Sequence, residues 1–268
     1  MIVAEAGLAH EGDFELGLRL VDEAIGAGAD AVKFQVYRAD ELINRDRDPG
    51  RYEVFRRKEL SYDQFAQLRR YSEHKGIVWF ATPHTTGAFR FLVDIDVPII
   101  KVGSGDRGEI LDLALKSDKE VFVSTGMRNT ARVDALVLKC YGCNATILHT
   151  VTLYPTPLKY ANLNQLKYLM WLARKPLQVG YSDHTKGIKA CLIARALGVG
   201  VIEKHIKLAE STGQDVHGAL FGYEFKEMVR QLKAVDMVMG SIKRQYTKEE
   251  KENEVWALKG KDGKRPLS

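Results

Sequence analysis

Short runs of β-branched and aromatic residues recur along the chain, and between them lie longer stretches with apolar positions three and four apart. The short runs are IVAEA (2–6), AVKFQV (31–36), IVWFAT (77–82), PIIKVG (98–103), EVFVST (120–125), ATILHT (145–150), LQVGYS (177–182) and GVIEKHI (200–206). They predict eight strands. Of the intervening stretches, Phe14 to Ala27 places Leu16, Leu20, Val21, Ala24 and Ile25 on one helical face. Ser61 to Lys75 opens on Ser61, followed by Asp63 and Gln64, a helix-start signal. Glu224 to Met239 closes the series, and Gly28 and Gly76 fall where helices stop.

Strand–helix units repeated eight times over about 240 residues have the rhythm of a (β/α)8 TIM barrel. An open doubly wound sheet is the alternative. No G-x-G-x-x-G follows the first strand, and polar residues collect at the C-terminal ends of nearly every strand, so the barrel is preferred. The pattern predicts a barrel domain over 1–242. Residues 243–268, KRQYTKEEKENEVWALKGKDGKRPLS, are charged and aperiodic and are expected to form an exposed tail or remnant linker.

Composition narrows the function. The 268 residues carry a net charge of +5 and are 45% hydrophobic, enough for a substantial core. No segment concentrates Lys and Arg with interleaved aromatics, so nucleic acid is not an expected partner. Cys140, Cys143 and Cys191 are too few, and odd in number, for a disulfide framework, and the C-x-x-C lacks a second pair for zinc. No membrane-length apolar run occurs, and the start, MIVAEAG, lacks a basic leader; a cytoplasmic protein is expected.

Strand alternation then selects side chains. It turns Lys33, Gln35, Lys101, Glu203 and His205 into the barrel, with Val32, Phe34, Ile202 and Ile206 towards the helices. Two buried lysines without an obvious carboxylate for each predict a site for an anion; structural pairing with Glu5 and Glu203 is the alternative. Thr82, Ser104, Ser124 and Thr125 follow three successive strands, and Gly103 and Gly105 flank Ser104, a pattern that suits phosphate or carboxylate. His184 and His205 end adjacent strands and can converge, either on a divalent metal of the Mn²⁺ type or as separate hydrogen-bonded imidazoles. His10 and Glu11 end the first strand. Glu11 is expected either at the barrel mouth as a base or water-positioning carboxylate, or at the start of the next helix.

The ordered motifs AEAGLAHEGD, GADAVKFQ, ELSYDQF, ATPH, KVGSGD, VSTGM, YPTP, GYSDHT and IEKH resemble the sialic acid synthase family from residue 3 to about 220. The resemblance implies condensation of phosphoenolpyruvate with an N-acylated amino-sugar aldehyde to a nonulosonic acid and phosphate, by C–O cleavage. It implies that Lys33, Lys101, Ser104, Ser124 and Ser182 hold phosphoenolpyruvate, with Thr82 nearby. It assigns His184 and His205 to the metal, Mn²⁺ with Mg²⁺ or Co²⁺ as alternatives. Glu11 would act on the water, and Gln35, Tyr154, Glu203 and Asp215 would face the sugar.

The chain departs from the family at Ala9, Thr152, His84 and Lys204, where Asn, Asn, an aromatic and Arg are usual. The loop after the second strand looks short, and the C-terminal antifreeze-like domain, which swaps across the family's homodimer, is not evident in the sequence. A ligand-binding barrel that has lost turnover and acts as a partner subunit is therefore a competing expectation. A Schiff-base aldolase using Lys33 or Lys101 is a third.

Overall fold

The computed structural model describes residues 1–106 and 108–265. The predicted barrel is present. Eight parallel strands close on themselves: β1 (Ile2–Gly7), β2 (Ala31–Val36), β3 (Val78–Pro83), β4 (Ile99–Val102), β5 (Glu120–Ser124), β6 (Ala145–Thr150), β7 (Gln178–Asp183) and β8 (Val201–Lys207), with β8 pairing back onto β1. A short β9 (Leu220–Phe221) adds to the end of β8.

Helices follow the strands in chain order. These are α1 (Phe14–Gly26), then α2 (Ala39–Leu42), α3 (Pro49–Arg57) and α4 (Tyr62–His74) between β2 and β3, and then α5 (Thr86–Asp94), α6 (Glu109–Leu115), α7 (Thr130–Lys139), α8 (Asn164–Leu172), α9 (Lys189–Ala196) and α10 (Gly222–Met239). Local chemistry sets their starts. The Asp13 carboxylate accepts from the backbone N–H groups of Glu15 and Leu16 to open α1. Ser61 and Gln64 form a reciprocal capping box at α4. Glu11 therefore lies before the α1 cap and does not begin the helix.

The segment after β2, read from the sequence as a loop, carries helical structure. That connection holds α2 and α3, the latter opened by Asp48 capping Arg51 N–H with Pro49 in the first turn. It folds back against the β1 loop at Gly12 (φ +81°), where a Cβ would sit 2.2 Å from the Arg57 carbonyl oxygen, so only glycine permits the approach.

The strands build two cores. Outward residues such as Val32, Phe34, Ile100, Val123, Ile147 and Ile202 pack against the helices. Inside, Val3, Ala31, Phe80, Ile99, Phe122, Leu148 and Val201 form a separate dry layer. Two residues further along each of those strands stands a polar one: Glu5, Lys33, Thr82, Lys101, Ser124, Thr150 and Glu203. On β7, Gly180 precedes Ser182 in the same way. The barrel interior is thus an apolar floor with a polar storey above it at the C-terminal end.

The chain divides into two compact units, 1–235 and 236–268, and the division falls inside α10. In the second unit the expected tail carries two short, solvent-exposed helices, α11 (Lys248–Glu252) and α12 (Glu254–Ala257), where no periodicity had predicted any. Its last residues, 266–268, lie outside those described.

Candidate active site

Above the apolar floor opens a cavity of about 730 Å³, a size suited to more than one small substrate. The deepest part is ionic. Register places Glu5 beside Lys33, and Lys33 Nζ lies 2.7 Å from Glu5 Oε2 and 3.6 Å from Glu203 Oε2. Lys101 Nζ lies 3.7 Å from Glu203 Oε1 and donates to Ser124 Oγ at 2.7 Å. Lys33 also donates to Thr82 Oγ1 at 3.1 Å, and Ser182 Oγ donates to Glu203 Oε1 at 2.8 Å. All four charged side chains are nearly inaccessible to solvent.

The expectation that the lysines lack carboxylates is corrected: Glu5 and Glu203 supply one each, and Glu203 bridges both lysines. Burial opposes ionisation of Glu203, but Lys101 and Lys33 overcome it and hold the carboxyl at about 2. Burial also works against Lys33, yet Glu203 and Glu5 raise it above its ordinary value. For Lys101 burial wins, aided by the Lys33 charge, and lowers the ammonium to about 8. Burial raises Glu5.

The upper wall is aromatic and imidazole. His184 and His205 line the cavity with ring centroids 5.4 Å apart. Tyr154 lies over His184 at 4.1 Å and meets His205 edge-on at 6.0 Å. His184 Nδ1 lies 2.7 Å from the Val151 carbonyl oxygen, which can only accept. Nδ1 therefore carries the proton, and Nε2 keeps its lone pair. Burial keeps both rings neutral, lowering His184 and pushing His205 down to about 3.

Asp215 lines the rim from the turn after β8. Gln35 donates to Glu5 Oε1 at 3.1 Å, and its Oε1 lies 3.1 Å from His84 Nε2. Ser104 joins the wall on the loop after β4. Thr125 does not: it turns away and donates to the Leu148 carbonyl.

Glu11 is placed differently from the expectation. It is not among the cavity-lining residues. Its Oε1 accepts from Lys58 Nζ at 2.7 Å and from Thr212 N–H at 2.7 Å, while Oε2 accepts from Thr212 Oγ1 at 2.6 Å. Burial opposes its charge, but those bonds hold the carboxyl below its usual value. Glu11 thus fastens the β1 and β8 loops to the segment after α3. His10 is buried against Phe34 and Phe65 on the helix side of the sheet and is likewise absent from the mouth.

Sequence reasoning missed several contributors. Thr150 lines the cavity and follows Leu148 in the alternation that marks the other strands. Arg128 donates to the carbonyl oxygens of Ser104, Asp106, Ser124 and Gly126, tying together the loops after β4 and β5. Gly126 sits beneath the hydroxyls of Thr152 and Ser104: a Cβ there would lie 2.3 Å from Thr152 Oγ1 and 2.5 Å from Ser104 Oγ. Gly126→Ala is expected to displace those hydroxyls into the cavity. It should weaken anion binding about tenfold while shifting the unfolding midpoint little, as checked by calorimetric titration beside a thermal melt.

Comparison with known proteins agrees with this geometry. Residues 20–244 match the NeuB family. The chain belongs to that family. It is 40% identical over 246 residues to an uncharacterised protein of Methanocaldococcus jannaschii, covering 90% of this chain and 72% of the relative. It is 32% identical to the N,N'-diacetyllegionaminic acid synthase of Campylobacter jejuni, covering 94% and 81%. Its structure resembles that of an N-acetylneuraminic acid synthetase from Leptospira borgpetersenii, solved in complex with citrate, with a TM-score of 0.85, 31% identity, and coverage of 94% and 89%. The NeuB barrel, with its sugar-acid synthase relatives, is thus the setting for the residues above. Among the described residues no helix is long and apolar enough to cross a membrane.

The donor set can be tested against the divalent metal expected from the sequence. Among the described residues no cluster of three or more His, Cys, Asp or Glu could hold an ion alone. Two neutral imidazoles facing one cavity nevertheless fit a metal whose remaining positions go to substrate and water.

Proposed function

We propose that this NeuB-family chain condenses phosphoenolpyruvate with an N-acylated amino-sugar aldehyde, giving a nonulosonic acid and phosphate. The observation that supports this best is the convergence of Lys33 and Lys101, with their hydroxyl partners, on the same cavity as the His184–His205 pair.

Lys33, Lys101, Ser124, Ser182, Ser104 and Thr82 hold the phosphate and carboxylate. Binding an anion lets Lys101 exchange part of its attraction to Glu203 for the ligand and raises its affinity for a proton. His184 and His205 hold the metal, which when bound polarises the aldehyde oxygen. Gln35, Tyr154, Glu203 and Asp215 face the sugar. C3 of phosphoenolpyruvate bonds to the aldehyde carbon, whose oxygen gains a proton to become a hydroxyl. Water adds its oxygen to C2 and gives up one proton, which balances the one the aldehyde oxygen gains. The bond between C2 and the oxygen bridging to phosphorus then breaks, and the second proton leaves with the phosphate as C2 becomes the keto carbon. Glu11 enters this proposal as the carboxylate that secures the loops around the site rather than as the base, because Lys58 and Thr212 occupy both its oxygens.

The test is an acceptor screen with phosphate as readout. Phosphate should appear only when protein, phosphoenolpyruvate, Mn²⁺ and an N-acylhexosamine are combined, and chelation should stop it. Silence across a full sugar panel, with phosphoenolpyruvate still bound, would favour the partner-subunit reading instead.

A further inference from the structure

On the opposite, helix-facing side of the strands that carry the two imidazoles lies a second polar network. Asp183 immediately precedes His184, and Lys204 immediately precedes His205. Alternation turns the histidines into the cavity and these two residues outward. They are register partners on β7 and β8, both fully buried, with Lys204 Nζ 2.7 Å from Asp183 Oδ2. Lys204 also donates to the Thr185 carbonyl. Asp183 is further saturated by Tyr181 Oη at 2.9 Å, Thr185 N–H at 2.9 Å, Thr185 Oγ1 at 3.1 Å and Cys191 Sγ at 3.3 Å.

The position of this pair matters because the β7–β8 ladder ends on it. Beyond that register the histidine-bearing segments turn to different neighbours. His205 is paired with Glu5 on β1. The His184 carbonyl accepts from Thr156 N–H, and Thr185 bridges to Thr156. Past the end of the ladder, the bond from Lys204 Nζ to the Thr185 carbonyl ties the His184 turn back to β8.

We propose that Lys204 and Asp183 are positioning residues: a buried ionic clamp behind the site that fixes the separation of His184 and His205 and so sets affinity for the divalent metal. The inference rests on the metal reading given above. A buried ion pair contributes little net stability compared with apolar residues of similar volume, so removing both charges together leaves no uncompensated ion, at the cost of stranding the Tyr181 hydroxyl and the Thr185 donors. What is lost is the tether across the strand ends, and outer partners of metal ligands are typically worth about 10–100-fold in affinity.

The experiment titrates Mn²⁺ into the full chain and reads free Mn²⁺ by electron paramagnetic resonance, with no substrate present. The Asp183→Leu/Lys204→Met double variant should fold, with a lower melting point than wild type, and bind Mn²⁺ about 10–100-fold more weakly. Lys204→Arg, which keeps the charge and the donors, should retain binding. If the double variant does not fold, Asp183→Asn, which keeps the shape and part of the hydrogen bonding, should show the same direction of change. A folded double variant, or a folded Asp183→Asn variant, that binds Mn²⁺ as tightly as wild type overturns the clamp and leaves the metal reading intact. Failure of wild type itself to take up Mn²⁺ overturns both.

Discussion

Lys101→Met should remove phosphoenolpyruvate binding almost completely, lowering affinity by about 10²–10³-fold, or roughly 3–4 kcal/mol. In the intact site the two lysines and two carboxylates offset one another, and Glu203 already leans on both ammonium groups. Deleting Lys101 leaves Glu5 and Glu203 facing Lys33 alone, so the cavity gains net negative charge where a phosphate and a carboxylate must enter. The loss should be confined to the anion: Mn²⁺ affinity should not fall, because Lys101 is held by Ser124 and Glu203 and its positive charge only opposes a cation beside His184. A pH signature accompanies it. Burial and the Lys33 charge lower Lys101 to about 8, so the ammonium is present below that pH and lost above it. Wild-type affinity for phosphoenolpyruvate should therefore decline above pH 8, by up to tenfold per unit. The variant should show no such inflection. Calorimetric titration between pH 7 and 9.5 checks both points, and a variant that still binds within threefold of wild type would show that Lys101 does not hold the anion.

The charge arrangement behind this prediction was only half legible in the sequence. Lys33, Gln35, Lys101, Glu203 and His205 could be placed inside because a closed parallel barrel preserves the two-residue period on every strand. The same period, applied to β1 and β6, places Glu5 and Thr150 above Val3 and Leu148, but Thr150 was not singled out and Glu5 entered only as an alternative partner for the lysines. What no period can reveal is pairing between loops. Lys58 reaches Glu11 across 47 residues, and Thr212 reaches it across 201, with nothing in the local pattern to announce either contact. Glu11 therefore read as a free carboxylate at the mouth when it is a fastened one. The helix α3 was missed for a different reason: its start signal, Asp48 followed by Pro49, was present, but its positions mix charge and apolar residues too evenly to mark a face. Arg128 went unnoticed because the bonds that tie the two loops go to backbone oxygens, which carry no sequence signature.

Acidification should destabilise the fold well before its carboxylates titrate. Burial pushes His10 and His84 down to about 4 and His205 to about 3, and it also lowers His149 and His184. Each of these imidazoles is neutral in the folded protein and takes up a proton near 6.5 when the chain unfolds. Below that value the unfolded state binds more protons, so stability rises with pH and falls as pH drops. The window runs from about 6.5 down to about 4, where the folded state begins to accept the same protons. His10, His84 and His205 alone should remove about 4–5 kcal/mol between pH 6.5 and 5, a large share of the roughly 5–15 kcal/mol that holds a domain together. Glu203, held at about 2 by Lys101 and Lys33 against its burial, adds to the loss only as pH falls below its ordinary value, whereas Glu5, raised by burial, takes up its proton above that value in the fold and so offsets part of the histidine loss at higher pH. Urea unfolding at pH 7, 6 and 5, with chelator present so that only protons compete for the imidazoles, measures the slope. A change approaching three protons per molecule between pH 6 and 5 is expected. A slope near zero would mean that these histidines titrate freely within the fold, and the neutral imidazole pair facing the cavity would lose its physical basis.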